Sequence, residues 1–165
     1  MATKKYSNKQ ERLIADYLGW EVVSGSGARD FNPGDIKSSQ WLGECKTHVS
    51  IVDRITIKYS VWDKISTEAK SVFKFPALFI DNGSQNIDDT WVVYYYQKCR
   101  VSDILIPDYK LYGRVNCIFK HSELKVVYSS VQRGRDVPIL CKLHMSDLTL
   151  GIMSLSNFCK LFGTK

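Results

Sequence analysis

Leu13, Ile14, Tyr17 and Leu18 share one helical stripe. Ser7-Asn8-Lys9-Gln10 ahead of them has the spacing of a capping box, and Gly19 stops the run, so the pattern predicts a first helix. Trp20-Glu21-Val22-Val23 reads as a short strand, followed by a Gly/Ser loop, Ser24-Gly25-Ser26-Gly27-Ala28, and a turn at Pro33-Gly34. A strand opened by Asp35 and a second from Gln40 to Thr47 would form a hairpin through Ser38-Ser39-Gln40. From about Ile57 to Phe73, Val61, Ile65, Ala69 and Val72 recur at helical spacing beside Trp62, which predicts an amphipathic helix ended by Pro76. Ala77-Leu78-Phe79-Ile80 is a continuous apolar run of the kind a central strand buries on both faces. A turn at Asp81-Asn82-Gly83 and a strand from Trp91 to Tyr96 follow.

This order describes an α/β fold with a central mixed sheet flanked by helices, which residues 1–100 can supply. Beyond Arg100 the pattern shortens. Val115 to Phe119, Lys125 to Tyr128 and Pro138 to Leu143 read as short strands, and Leu155 to Phe162 as a terminal helix. Residues 101–165 are therefore expected to form a β-rich extension. Ser102-Asp103-Ile104-Leu105 is too apolar for a free linker, so the extension is expected to pack on the same core.

The 165 residues suit one domain, or one domain with a small appended subdomain, and a hydrophobic content of 44% argues against disorder. No apolar run approaches the length of a membrane span. The N-terminus carries charge without the apolar core of a signal peptide, so the expected location is intracellular: cytoplasm or nucleoid, or a host cell if the chain is phage-encoded. Cys45, Cys99, Cys117, Cys141 and Cys159 are odd in number and lack a C-x-x-C pair, which reads as reduced core thiols. His48, His121 and His144 lack metal-ligand spacing and read as surface or strand residues without a role. A net charge of +6 fits a polyanionic partner, of which nucleic acid is the commonest in that compartment.

Candidate chemistry concentrates in Pro33-Gly34-Asp35 and, eight residues later, Glu44-Cys45-Lys46. Residues two apart on a strand project from one face, so Glu44 and Lys46 point together while Cys45 points into the other layer. The hairpin would set the Asp35 carboxylate beside Glu44, giving two hard oxygen ligands for Mg²⁺. The metal would lower the pKa of a bound water and neutralise charge on a scissile phosphate, while Lys46 orients that water or stabilises the transition state. Mn²⁺ accepts the same ligands.

Gln10-Glu11-Arg12, the segment Trp20 to Ala28, Gly34-Asp35-Ile36 and Glu44-Cys45-Lys46 together resemble the PD-(D/E)XK nuclease superfamily, and within it the archaeal-type Holliday junction resolvases. The resemblance covers residues 7–80. It implies a restriction-endonuclease-like core in which Asp35 and Glu44 bind the divalent metal and Lys46 assists the attacking water. It further implies that Glu11 completes the acidic cluster, that the Cys45 carbonyl is an additional ligand, and that Arg12 contacts phosphate. Helix phase lets Glu11 face the sheet edge. Ser26 falls where the resolvases place a serine in a mobile loop near the scissile strand, and Arg29 in that loop is either a DNA contact or a solvated charge.

The expected activity is Mg²⁺-dependent cleavage of branched DNA, four-way junctions above all, by a symmetric homodimer, because opposed nicks across a two-fold junction need two equivalent sites. Two alternatives stay open: a restriction, repair or phage-type endonuclease on duplex or single-stranded DNA, and a DNA-binding module without catalysis. The long C-terminal extension is absent from the compact resolvases, and Arg133-Gly134-Arg135 within it reads either as a hairpin tip that contacts a DNA backbone or as a solvated turn.

Overall fold

The computed structural model describes residues 2–24, 32–96, 110–113, 116–132, 139–143 and 149–164. In chain order its elements are α1 (Ala2–Leu18), β1 (Glu21–Val22), β2 (Ile36–Lys37), β3 (Trp41–Lys46), β4 (Ile55–Lys58), α2 (Tyr59–Ser71) and β5 (Phe75–Asp81). A 3₁₀ turn (Ile87–Asp89) leads into β6 (Thr90–Tyr95), then β7 (Lys110–Gly113), β8 (Asn116–Phe119), α3 (His121–Gln132), β9 (Ile139–Leu143), β10 (Thr149–Ser154) and α4 (Leu155–Phe162). Eight strands form one mixed sheet in the order β1-β2-β3-β5-β6-β10-β9-β7, and β4 pairs with β8 in a separate ribbon. The fold is α/β, as the hydrophobic pattern predicts.

The buried face of α1 carries Gln10, Glu11, Ile14, Ala15 and Leu18, while Leu13 is half-buried and Tyr17 is exposed. The predicted stripe is thus rotated by one position, and two polar residues ride on its buried side. Ser7 lies inside α1 rather than at its N-cap, because the helix already begins at Ala2. Gly19 ends it at φ +72°, in the left-handed region.

Helix α2 starts later than its periodicity suggests. Ile55 and Ile57 are buried while Thr56 is half-buried and Lys58 exposed, a period of two that belongs to β4. The helix ends at Ser71, before a left-handed Phe73, so Pro76 does not end it. Pro76 is instead the second residue of β5, near the strand start where a missing N–H is tolerated. Lys125 to Tyr128, expected as a strand, lies in α3, which buries Leu124 and Tyr128 four residues apart and leaves Val126 exposed. His121, expected at the surface or in a strand, opens α3 as a buried residue: Trp91 Nε1 donates to its Nδ1 at 3.1 Å and its Nε2 faces Asp89 Oδ1 at 3.1 Å.

The extension continues the main sheet, with β10 antiparallel to β6 and β9 antiparallel to β10. Its terminal helix α4 closes one face of the core. The Phe158 ring lies 5.2 Å from Trp41, 5.8 Å from Phe79, 5.9 Å from Tyr94 and 6.1 Å from Trp20, so a residue of the last ten meets four aromatics of the first hundred. On the other face α2 buries Trp62 against Tyr95, with ring centroids 5.0 Å apart. No described helix is long and apolar enough to cross a membrane. Cys45 and Cys117 are buried free thiols and Cys159 is half-buried, whereas Cys99 and His144 lie outside the described residues.

Phe158 is fully buried, so Phe158→Ala is expected to cost about 3–5 kcal/mol, measured as the shift in urea midpoint. An unchanged midpoint would mean that the Phe158 packing does not contribute to stability.

Candidate active site

Three segments converge at the C-terminal end of β3. The hairpin supplies Asp35, just before β2, and the strand supplies Glu44 and Lys46. Ser38 Oγ accepts from the Trp41 amide at 3.1 Å, which tightens the turn between them. Asp35 is fixed through its backbone by two bonds: its amide donates to Gly43 O and its carbonyl accepts from the Val23 amide, each at 2.8 Å. Gly34 makes the entry possible, because its φ is +73° and a Cβ there would lie 2.8 Å from Leu42. The Asp35 side chain then turns onto β3, where its Oδ2 accepts from the Cys45 amide at 2.8 Å.

Alternation in β3 presents Glu44 and Lys46 on one face. Glu44 is 5% exposed, a burial that carboxylates tolerate only when paired. Lys46 Nζ donates to Glu44 Oε1, and Lys64 of α2 lies 3.8 Å from Oε2. Lys46 Nζ also reaches the Cys45 carbonyl at 3.4 Å.

Helix α1 delivers the third acid. Gln10 Nε2 donates to Lys46 O at 3.0 Å, which pins α1 to the end of β3 and leaves Glu11, 8% exposed, within electrostatic reach of Asp35 and Glu44. Burial raises the Glu11 pKa above its ordinary 4.5, and the charges of Asp35 and Glu44 raise it further. Burial likewise raises Asp35 above 3.8, with Glu44 adding to it and the Cys45 amide and Lys46 opposing. For Lys46, burial works against the ammonium, but the hydrogen bond to Glu44 and the charges of Glu44 and Asp35 outweigh it, so its pKa rises. The Cys45 thiol is pushed well up by burial and by all three carboxylates, which keeps it neutral and leaves only its carbonyl as a hard donor.

Glu11, Asp35, Glu44, Cys45 and Lys46 are therefore brought together. Arg12 is exposed on α1, and its charge opposes the rise at Glu11. Ser26, Arg29, Arg133 and Arg135 lie outside the described residues. Three contributors are given no role by the motif: Gln10, which holds the strand end, Lys64, which faces Glu44, and Glu68, whose Oε2 accepts from the Gly34 amide at 3.1 Å. The signal for the last two is their i,i+4 spacing beside the buried Ile65 and Ala69 of α2.

The donor chemistry suits Mg²⁺: three carboxylates and a peptide carbonyl are hard oxygens, and Mg²⁺ keeps several waters while using one or two carboxylates. Burial first, and the neighbouring carboxylates after it, raise the pKa of Glu11 and of Asp35, and a bound cation would act in the opposite direction. Among the described residues, no three His, Cys, Asp or Glu side chains stand close enough to enclose an ion as placed.

Comparison with protein-family models, with curated proteins and with solved structures finds no match to this chain. The resemblance to the nuclease superfamily thus rests on the residues themselves.

Both acids bind their protons more tightly in the folded chain, so this contribution to stability is fully present below about pH 4 and is lost as pH rises through the raised folded values. Glu11→Gln is accordingly expected to raise the melting temperature at pH 7 and to lose that advantage below pH 4. Mg²⁺ should stabilise wild type more than the variant. A variant that melts at or below wild type at pH 7 would contradict the electrostatic reading.

Proposed function

We propose that the chain is a divalent-metal-dependent DNA endonuclease with a restriction-endonuclease-like core, acting on branched DNA such as four-way junctions. The observation that carries this reading is that a helix, a hairpin turn and a strand bring Glu11, Asp35, Glu44 and Lys46 within mutual electrostatic reach at the end of β3. The antiparallel β1-β2-β3 unit followed by the parallel β5 supports the core assignment, and the net charge of +6 supports a polyanionic substrate.

Glu11, Asp35, Glu44 and the Cys45 carbonyl would hold Mg²⁺ or Mn²⁺. Bound there, the ion supplies Lewis-acid polarisation of the phosphate and a lowered pKa for water. Lys46, kept cationic by its acidic neighbours, meets the negative charge that develops on the phosphoryl oxygens. Gln10 and Glu68 position the cluster by holding the Lys46 carbonyl and the Gly34 amide. Exposed Arg12 on α1 would offer a further cation to a DNA phosphate. Two copies related by a two-fold axis would present two such sites to a symmetric junction.

End-labelled four-way junction, duplex and single-stranded DNA of one sequence, incubated with Mg²⁺ or chelator, provide the test. Paired nicks in the junction are expected, with Asp35→Asn and Lys46→Ala each lowering the rate by roughly 10²-fold or more while junction binding persists. Undiminished cleavage by both variants would remove this cluster as the active site. Equal cutting of all three DNAs would keep the nuclease and discard junction selectivity.

A further inference from the structure

We infer that the cavity beside Lys46 is a subsite for a single unpaired nucleobase, the one attached to the nucleotide next to the scissile phosphate. This inference rests on the nuclease reading for its orientation, and on the cavity itself for its chemistry.

The cavity lies between α2, the β4–β8 ribbon and the sheet face that carries Glu44 and Lys46. Its volume of about 200 Å³ falls below the roughly 300 Å³ at the small end of drug-sized ligand sites, which suits one ring system rather than a whole dinucleotide. Its walls are chemically divided. Val61, Leu78 and Ile80 form an aliphatic surface, while Lys46, Lys58 and Thr56 bring two ammonium groups and a hydroxyl. Flipped bases are held in such surroundings, between apolar side chains with polar groups at the base edge.

Strand register fixes the cavity relative to the reaction centre. Glu44 pairs with Leu78 and Lys46 with Ile80 across the parallel β3–β5 ladder. The aliphatic floor is therefore one strand spacing, about 4.8 Å, from the two charged residues, a span comparable with one sugar. A phosphate on Lys46 would place its own nucleoside over Leu78 and Ile80, with Lys58 opposite. Val61 is half-buried on the margin of the α2 stripe, and a helix residue in that position covers the side of a bound ring.

The consequence concerns substrate choice. A base can enter only after leaving its stack, and that costs least where it is already unpaired, so the cavity favours branch points and frayed ends over continuous duplex. Selectivity for branched DNA would then begin within one subunit.

The test uses wild-type chain with methyl-labelled Val, Leu and Ile. Titration with dAMP and dTMP is expected to move the Val61, Leu78 and Ile80 methyl resonances, whereas inorganic phosphate and deoxyribose 5-phosphate leave them in place. Val61→Phe, checked for an unchanged melting temperature, should weaken that binding about tenfold, and an abasic nucleotide beside the cut should slow junction cleavage by a similar factor. Unmoved methyls at millimolar mononucleotide, or equal shifts from phosphate alone, would overturn the subsite even if the junction is cut. Moved methyls with no cleavage of any DNA would keep the subsite and reject the nuclease.

Discussion

The hydrogen bond from the Cys45 amide to Asp35 Oδ2 spans the hairpin and makes one site out of two segments. Without it, Asp35 would be a solvated turn residue and Glu44 a buried carboxylate with only lysines for company. With it, the Asp35 carboxylate is held against β3 at the position where Glu44 and Lys46 emerge. The bond also opposes the rise in Asp35 pKa that burial and Glu44 impose, so the amide keeps an anion where the surroundings resist one. Everything near it serves that placement. Gly34 allows the turn, Glu68 holds the Gly34 amide, and Gln10 holds the carbonyl at the end of β3.

That arrangement gathers acidic side chains on a well-packed support. Trp41 and Cys45 face the layer in which Phe158 packs on Trp20, Phe79 and Tyr94, while Glu44 and Lys46 face α2 and the cavity. One strand therefore anchors the core with its odd positions and carries chemistry with its even ones. The terminal helix and β10 belong to the support, since β10 completes the pairing of β6 and α4 covers the aromatic face.

Much of this was legible in the sequence because strand alternation and helix phase are local rules. Glu44-Cys45-Lys46 could be placed on opposite faces from spacing alone, and the run Ala77 to Ile80 was readable as a central strand. The failures have both local and long-range origins. Ile55-Thr56-Ile57 is too short to separate from the helix that follows, and Leu124 and Tyr128 suit a helix that the β-branched Val126 and Val127 disguise. Gln10 and Glu68 could not be assigned, because their partners are backbone groups 36 and 34 residues away, and His121 owes its burial to Trp91 and Asp89.

The account depends on the three carboxylates acting as one cation site, and paramagnetic broadening by Mn²⁺ reads that most directly. Substoichiometric Mn²⁺ added to ¹⁵N-labelled chain should broaden the amides of Glu11, Asp35, Cys45 and Lys46 first, and Mg²⁺ should restore them competitively. Broadening centred elsewhere, or unaffected by Asp35→Asn, would contradict the account.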